Sequence, residues 1–269
     1  MHSLDRLHVV LVSPRNPLNI GAAARAMANF GFRHLVVVAP YEEHWREAKS
    51  AVGASELLQN ARRAESLQGA VTDCSLVIGT GTLAHRKPEQ TVIPLPELTP
   101  FIDVEFARGG RVALVFGPEK RGLTREDLAL CHMLVEIPTD ARQPSMNLGQ
   151  AVAVCLYELA ARRKTGPHPS DKNKGVARMG HPANPAEERA DAASMRDPAC
   201  ARDLDLLAAV VAETMQAANY SPAAMKKAND HDLRLLLRRL AFTRSDARRI
   251  LGLFRRILWR LKRRAGLKD

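Results

Sequence analysis

The chain lacks the cysteine pattern of a disulfide-stapled or zinc-binding protein. Its four cysteines, Cys74, Cys131, Cys155 and Cys200, are scattered without a CxxC pair, and the first three sit in apolar segments. Reduced structural thiols are therefore expected. His34, His44, His85 and His132 show no ligand spacing, so no metal is implied. No apolar run approaches the roughly 20 residues that span a bilayer. Asp5, Arg6 and His8 interrupt any signal-like run near the N-terminus, and the expectation is a cytoplasmic protein without a membrane partner. Two phosphate-binding fingerprints are also missing: no GxGxxG follows the first strand and no GxxxxGK(S/T) occurs. That disfavours a dinucleotide enzyme or a P-loop NTPase. Acid is outnumbered as well, with 29 Asp and Glu against 40 Lys and Arg, a net charge of +11 and a pI near 10.0. An excess of this kind points to a polyanionic partner, a nucleic acid or an anionic membrane surface.

At 269 residues the chain can bury a full core and is read as one medium domain plus a smaller one. Five short runs rich in Val, Leu and Ile read as strands: Leu7 to Ser13, His34 to Ala39, Ser75 to Gly79, Arg111 to Phe116 and Met133 to Ile137. Near-continuous apolar strands separated by helical segments predict an α/β fold with a mostly parallel sheet buried on both faces. Asn147 to Arg163 reads as one long helix. The domain organisation predicted is a catalytic unit over 1–163, a Pro/Gly-rich flexible linker over 164–200 and a basic helical extension over 201–269. Within residues 233–268 thirteen Lys and Arg face one acid, Asp246, alongside an apolar stripe that includes Leu235, Leu237, Leu251 and Leu258.

Four loops follow strands. After the first strand come Ser13-Pro14-Arg15-Asn16-Pro17 and an Ala-rich helix bearing Arg25, one turn beyond Gly21. The others are Gly79-Thr80-Gly81-Thr82, Phe116-Gly117-Pro118-Glu119-Lys120-Arg121-Gly122-Leu123-Thr124, and Ile137 to Gln150. Loops at strand C-termini converge on one sheet edge, the ligand edge of open α/β folds. Thr124 with Asp127 reads as a helix cap, and Ser145 is a candidate cap for the long helix.

Asn19-Ile20-Gly21 with Arg25, then Phe116-Gly117-Pro118-Glu119 with Gly122-Leu123, then Ile137-Pro138 with Ser145-Met146-Asn147-Leu148 resemble, in that order and spacing, three motifs. They are those of the SpoU (TrmH-like) RNA ribose 2′-O-methyltransferases of the SPOUT superfamily. The resemblance covers about residues 7–161. It implies a Rossmann-like sheet with a C-terminal trefoil knot, S-adenosylmethionine as cofactor, a homodimer whose sites draw on both chains, and RNA as substrate. Within the family the chain looks most like the enzymes acting on tRNA at the ribose of nucleotide 32, a cytidine or uridine of the anticodon loop.

By the same resemblance Thr80, Gly81, Thr82, Gly117, Ile137, Pro144, Ser145 and Met146 surround the cofactor. The catalytic set is Arg25, Asn19, Ser145, Asn147 and Glu119. A guanidinium keeps its proton in proteins, so Arg25 is expected to act electrostatically, gripping a phosphate and steadying a developing alkoxide, rather than as a base. Asn19 and Asn147 position the loop or the ribose, and Glu119 fixes loop geometry or balances positive charge. Ordinary alternatives stand beside these roles: Arg25 as a surface salt-bridge partner, Ser145 as a helix cap, and the basic C-terminal face as a solvated surface. So do a methyltransferase for another tRNA site or for ribosomal RNA, and a non-catalytic RNA-binding protein on the same scaffold.

Overall fold

Alternate residues of the apolar runs face opposite ways, and this builds two cores. In the computed structural model, which describes residues 3–81, 88–165, 197–220 and 222–264, Val9 and Leu11 enter one buried cluster while Val10 and Val12 enter the other. The strands are β1 (Leu7–Val12), β2 (His34–Val38), β3 (Arg62–Ala64), β4 (Leu76–Thr80), β5 (Val92–Pro94), β6 (Val112–Phe116) and β7 (Met133–Glu136). They form one seven-stranded sheet in the order β3-β2-β1-β6-β4-β7-β5. Every pairing is parallel, as expected for strands buried on both faces.

The five strands read from the sequence lie within a residue or so of their expected bounds. The edge strands β3 and β5 were not expected. Each has three residues, too few to display a period, and β3 opens with two exposed arginines.

Helices cover both faces. The first comprises α1 (Pro17–Phe30), α4 (Thr99–Ala107) and α6 (Leu148–Thr165), and the second α3 (Leu67–Ala70) and α5 (Arg125–Leu128), with α2 (Ser55–Gln59) beside α1. The first helix begins earlier than the Pro/Asn-rich stretch suggested. Pro17 occupies its first turn, and the Asn16 side chain caps it by accepting from Leu18 N at 2.9 Å. Asn19 is therefore a helical residue with a fixed direction.

Three further helices, α7 (Ala201–Ala217), α8 (Lys226–Arg239) and α9 (Arg244–Arg264), form the C-terminal unit. Leu207, Ala208, Val211 and Leu237 make its small core. The expected stripe divides: Leu235 and Leu258 are buried, whereas Leu236, Leu240, Leu253 and Ile257 are exposed. This unit is docked on the sheet's second face. Ala201 is buried there and donates its N–H to Cys74 O at 2.8 Å. Of the expected linker, residues 166–196 lie outside the described residues, as does Lys268. All four cysteines are buried and free. Among the described residues, no helix is long and apolar enough to cross a membrane.

One of the thirteen cations is not on the surface. The Arg238 side chain is 1% exposed and pairs with Asp205 of α7 at 2.9 Å, while its Nε donates to Leu130 O at 2.9 Å. Near it His132, half-buried just before β7, accepts from Val77 N through Nδ1 at 3.0 Å. Burial first, and then the Arg238 charge, pull the His132 pKa down to about 3, and burial with the neighbouring His34 pulls His8 to about 4. Both lie below the usual imidazole value of 6.5. Under pH 6.5 the unfolded chain takes up protons that the folded chain refuses, so stability is complete above 6.5 and is lost as pH falls toward 4. A melting temperature that declines through this window is the expected result. One that stays level from pH 7 to pH 4 contradicts it.

Candidate active site

The loops that leave β4, β6 and β7 meet at the C-terminal edge of the sheet and enclose a cavity of about 280 Å³. Thr80, Gly81, Gly117, Ile137, Pro144, Ser145 and Met146 all line it, as does Glu119. Thr82 lies outside the described residues. The wall also includes residues that the sequence reading quoted but did not assign to the site, notably Lys120 and Arg121, with Leu123, Thr139 and Leu148. Only their membership of the same loops could have signalled them. The cavity thus has an apolar side and a cationic rim.

Gly117 has a role that no other residue can fill. A Cβ built on it would lie 2.3 Å from both Gly122 C and Leu123 N, so the loop 117–123 closes on itself only without a side chain there. Gly122 closes the turn at φ +64°, in the left-handed region. After it Thr124 caps α5 in a reciprocal capping box with Asp127, as the sequence predicts.

Glu119 ties this loop to the one after β1. Its Oε1 accepts from Asn19 Nδ2 at 2.8 Å and from Asn16 N at 3.2 Å, and its Oε2 from Arg15 N at 3.1 Å. Partial burial pushes the carboxyl pKa up. Hydrogen bonds from Asn19 and from backbone N–H groups, including those of Arg15 and Asn16, outweigh that effect and hold it below the usual carboxylate range. Glu119 is an anionic brace. The chain of bonds continues: Asn19 Oδ1 accepts from Asn147 Nδ2 at 2.9 Å, and Asn147 Oδ1 accepts from Gly149 N at 2.9 Å and Gln150 N at 3.3 Å. Asn147 is thus the cap of α6, which corrects the expectation that Ser145 would be. The Ser145 hydroxyl is exposed, on the cavity wall, and has no hydrogen bond among the described residues. Thr80 has no free hydroxyl hydrogen, because its Oγ1 donates to Val115 O at 3.0 Å, and it can act toward a ligand only as an acceptor.

Two expectations are met differently. The β1 loop does not line the cavity; it braces the rim through Glu119. Arg25 does not line it either. It stands exposed on α1, with no hydrogen bond or ion pair among the described residues. On the same side of the helix Ala22 presses on Gly149 of α6, where an added Cβ would lie 2.7 Å from the alanine Cβ.

A parallel α/β sheet whose glycine-turned loops form a small-ligand cleft at its C-terminal edge defines a class of cofactor-binding enzyme folds. More specifically, the chain belongs to the SpoU rRNA Methylase family, whose model matches residues 6–157. The resemblance carried by the three motifs is thereby borne out. The chain is 42% identical over 157 residues to the tRNA (cytidine/uridine/adenosine-2′-O-)-methyltransferase TrmJ of Pseudomonas aeruginosa (strain UCBPP-PA14), a match covering 58% of this chain and 61% of that one. It is 37% identical over 160 residues to the tRNA (cytidine-2′-O-)-methyltransferase TrmJ of Methanocaldococcus jannaschii, covering 58% and 68%. The match therefore spans about three fifths to two thirds of these relatives' length. Among solved structures, TrmJ from Z. mobilis ZM4 superposes with a TM-score of 0.74 at 26% identity, over 93% of this chain and 98% of that one.

Proposed function

We propose that the protein is an S-adenosylmethionine-dependent tRNA methyltransferase that modifies a ribose 2′-hydroxyl, at cytidine or uridine 32 of the anticodon loop. The convergence of residues 80–81, 116–123, 137, 139, 144–146 and 148 on one cavity carries this reading. The wall fits the cofactor. Leu123, Ile137, Met146 and Leu148 offer an apolar face for an adenine ring, and the side-chain-free loop at Gly117 leaves backbone groups to approach its polar parts. Bound there, the cofactor supplies a methyl group already activated on a sulfonium.

The chain's own task is to hold the acceptor and ease the loss of its proton. Glu119 is not the base in this account, since its oxygens are occupied by N–H donors. Through Asn19 and Asn147 it keeps the rim rigid, while the Ser145 hydroxyl, without a hydrogen bond among the described residues, stands on the cavity wall where it would be available to the cofactor or the ribose. Arg25 binds the adjoining phosphate and stabilises the oxyanion as the hydroxyl proton passes to solvent water. Because Arg25 is absent from its own chain's cavity wall, the reading includes a homodimer in which Arg25 of one protomer completes the partner's site. The α1 and α6 surface that carries Arg25 also exposes Leu18 and Tyr157.

The reading extends to a trefoil knot. Its support is the sheet order: β7, the last strand in sequence, lies between β4 and β5, which follow each other directly in the chain. It extends also to the C-terminal unit as an RNA-binding face acting in the cytoplasm, supported by the exposed Arg248, Arg249, Arg255, Arg256 and Arg260 of α9, none with an ion pair among the described residues.

Calorimetry with S-adenosylmethionine tests the cavity. The wild type binds it without added metal. Gly117→Ala, which must unfold the loop from Gly122 to make room, is expected to weaken binding by at least about 100-fold, as when a built site loses its shape by an ångström or so. Equal affinity in the two proteins places the cofactor elsewhere.

A further inference from the structure

The opposite edge of the sheet carries a second feature. A cleft of about 350 Å³ opens between the catalytic unit and the C-terminal helices, and its walls bear Arg108, Arg111, Arg202 and Arg244 against Asp73 and Asp197. Arg108 caps the end of α4, Arg111 immediately precedes β6, Arg202 is in the first turn of α7 and Arg244 begins α9. The arginines thus come from both units, and they meet only because α7 is docked on the sheet. Arg244 is shared between Asp197 at 3.5 Å and Asp203 at 3.6 Å. Arg108, Arg111 and Arg202 have no carboxylate partner among the described residues, and Arg111 and Arg202 are exposed. The floor is fixed, because Ser75 Oγ accepts from Arg111 N at 3.1 Å and is itself bonded to the buried Glu105 carboxylate.

We propose that this cleft binds phosphodiester groups of the RNA substrate, as a second contact remote from the methyl-transfer cavity. It rests on the reading that the protein acts on RNA. Arg111 and Arg202 stand exposed here without a carboxylate partner among the described residues, and guanidinium groups pair with phosphate oxygens in a bidentate way that selects this anion. A dedicated small-anion site encloses its ligand with buried donors. This cleft instead offers exposed arginines along an open seam, which suits a backbone passing through. Arg111 and Phe116 bound the same strand, so the cleft lies about 17 Å from the cavity at roughly 3.3 Å per residue, further along the surface. An RNA reaching both must wrap the edge of the catalytic unit, and the C-terminal helices form one wall of that path.

The experiment compares full-length wild type, Arg111→Ala/Arg202→Ala, and a charge-matched control, Lys49→Ala/Arg63→Ala, which removes charges outside both cleft and cavity. Dissociation constants for tRNA are measured across a salt series, with S-adenosylmethionine affinity measured in parallel. The cleft variant is expected to lose about tenfold in tRNA affinity at ~0.1 M salt and to show a slope of log K against log salt reduced by about one to two. The control should shift by no more than about twofold, and cofactor affinity should be the same in all three. Should the double variant melt markedly lower, Arg202→Ala alone, whose side chain makes no hydrogen bond among the described residues, is expected to give about half the slope change. A cleft variant that binds tRNA as the control does overturns the inference. So does loss of thermal stabilisation by pyrophosphate with tRNA binding intact, which would make the cleft a site for a free anion. Wild-type protein that binds no RNA at all removes the RNA reading itself, a result distinct from either.

Discussion

Arg25→Ala is expected to lower the turnover number by on the order of 10²–10³ while cofactor affinity stays within about twofold. The separation follows from where the residue stands. Arg25 is exposed on α1 and absent from the wall of its own chain's cavity, so its removal leaves that wall intact, and in the partner's site the proposed reading assigns it to the acceptor rather than to the cofactor. On the proposed reading what is lost is a charge placed against the phosphate and the developing oxyanion, an interaction that strengthens as the proton departs and therefore appears in kcat. Arg25→Lys is expected to recover little, because an ammonium cannot reproduce the two-pronged grip of a guanidinium. If the arginine acts in the partner's site, mixing Arg25→Ala with Gly117→Ala protein restores activity. Half the dimers are then mixed, each with one site intact in both parts, so recovery approaches about a quarter of the wild-type rate. Cofactor affinity and turnover falling together in Arg25→Ala would place the residue on the cofactor and refute its assignment to the acceptor.

The largest expected effect on stability is that of Arg238→Ala, a loss of about 3–5 kcal/mol. The Arg238 side chain is 1% exposed and Asp205 10%, so truncation strands a carboxylate in an apolar junction and also strips Leu130 O of its donor. For a chain of this size the melting temperature should fall by on the order of 10 °C. The pair is not expected to be a net source of stability. Arg238→Met with Asp205→Leu should recover most of the loss, because an apolar pair of similar volume avoids the cost of desolvating two ions. Arg238 Nη1, which has no hydrogen-bond partner among the described residues, adds to that cost. A single variant that melts within a degree or two of wild type would show that the C-terminal unit is held by other contacts.

These two arginines mark what the sequence could and could not disclose. The central strands were legible because burial on both faces forces continuous apolar runs such as Val9-Val10-Leu11-Val12. β3 and β5 were not, since a three-residue edge strand has no period and Arg62 and Arg63 argue against one. The cavity wall was largely legible from the order of three loop motifs, and Thr124 with Asp127 announced its own cap. The cap of α6 was misplaced by two residues. Ser145 and Asn147 are both good capping residues, and only the bond from Asn147 to Asn19, 128 residues away in sequence, decides between them. The relay from Glu119 through Asn19 to Asn147 joins three chain segments, so no local pattern could show it. Arg238 counted as one more surface cation in a basic helix; its burial depends on a docking surface built by residues more than a hundred positions earlier.

The measurement that bears most directly on the proposed chemistry is mass mapping of tRNA after incubation with the purified protein and S-adenosylmethionine carrying a deuterated methyl group. Nuclease digestion followed by mass spectrometry should show the labelled methyl on the ribose 2′-oxygen of residue 32, whose 3′-phosphodiester then resists alkali, and none of it after incubation with Gly117→Ala protein. Label on a base, or no label in tRNA from a protein that binds the cofactor, would contradict the account.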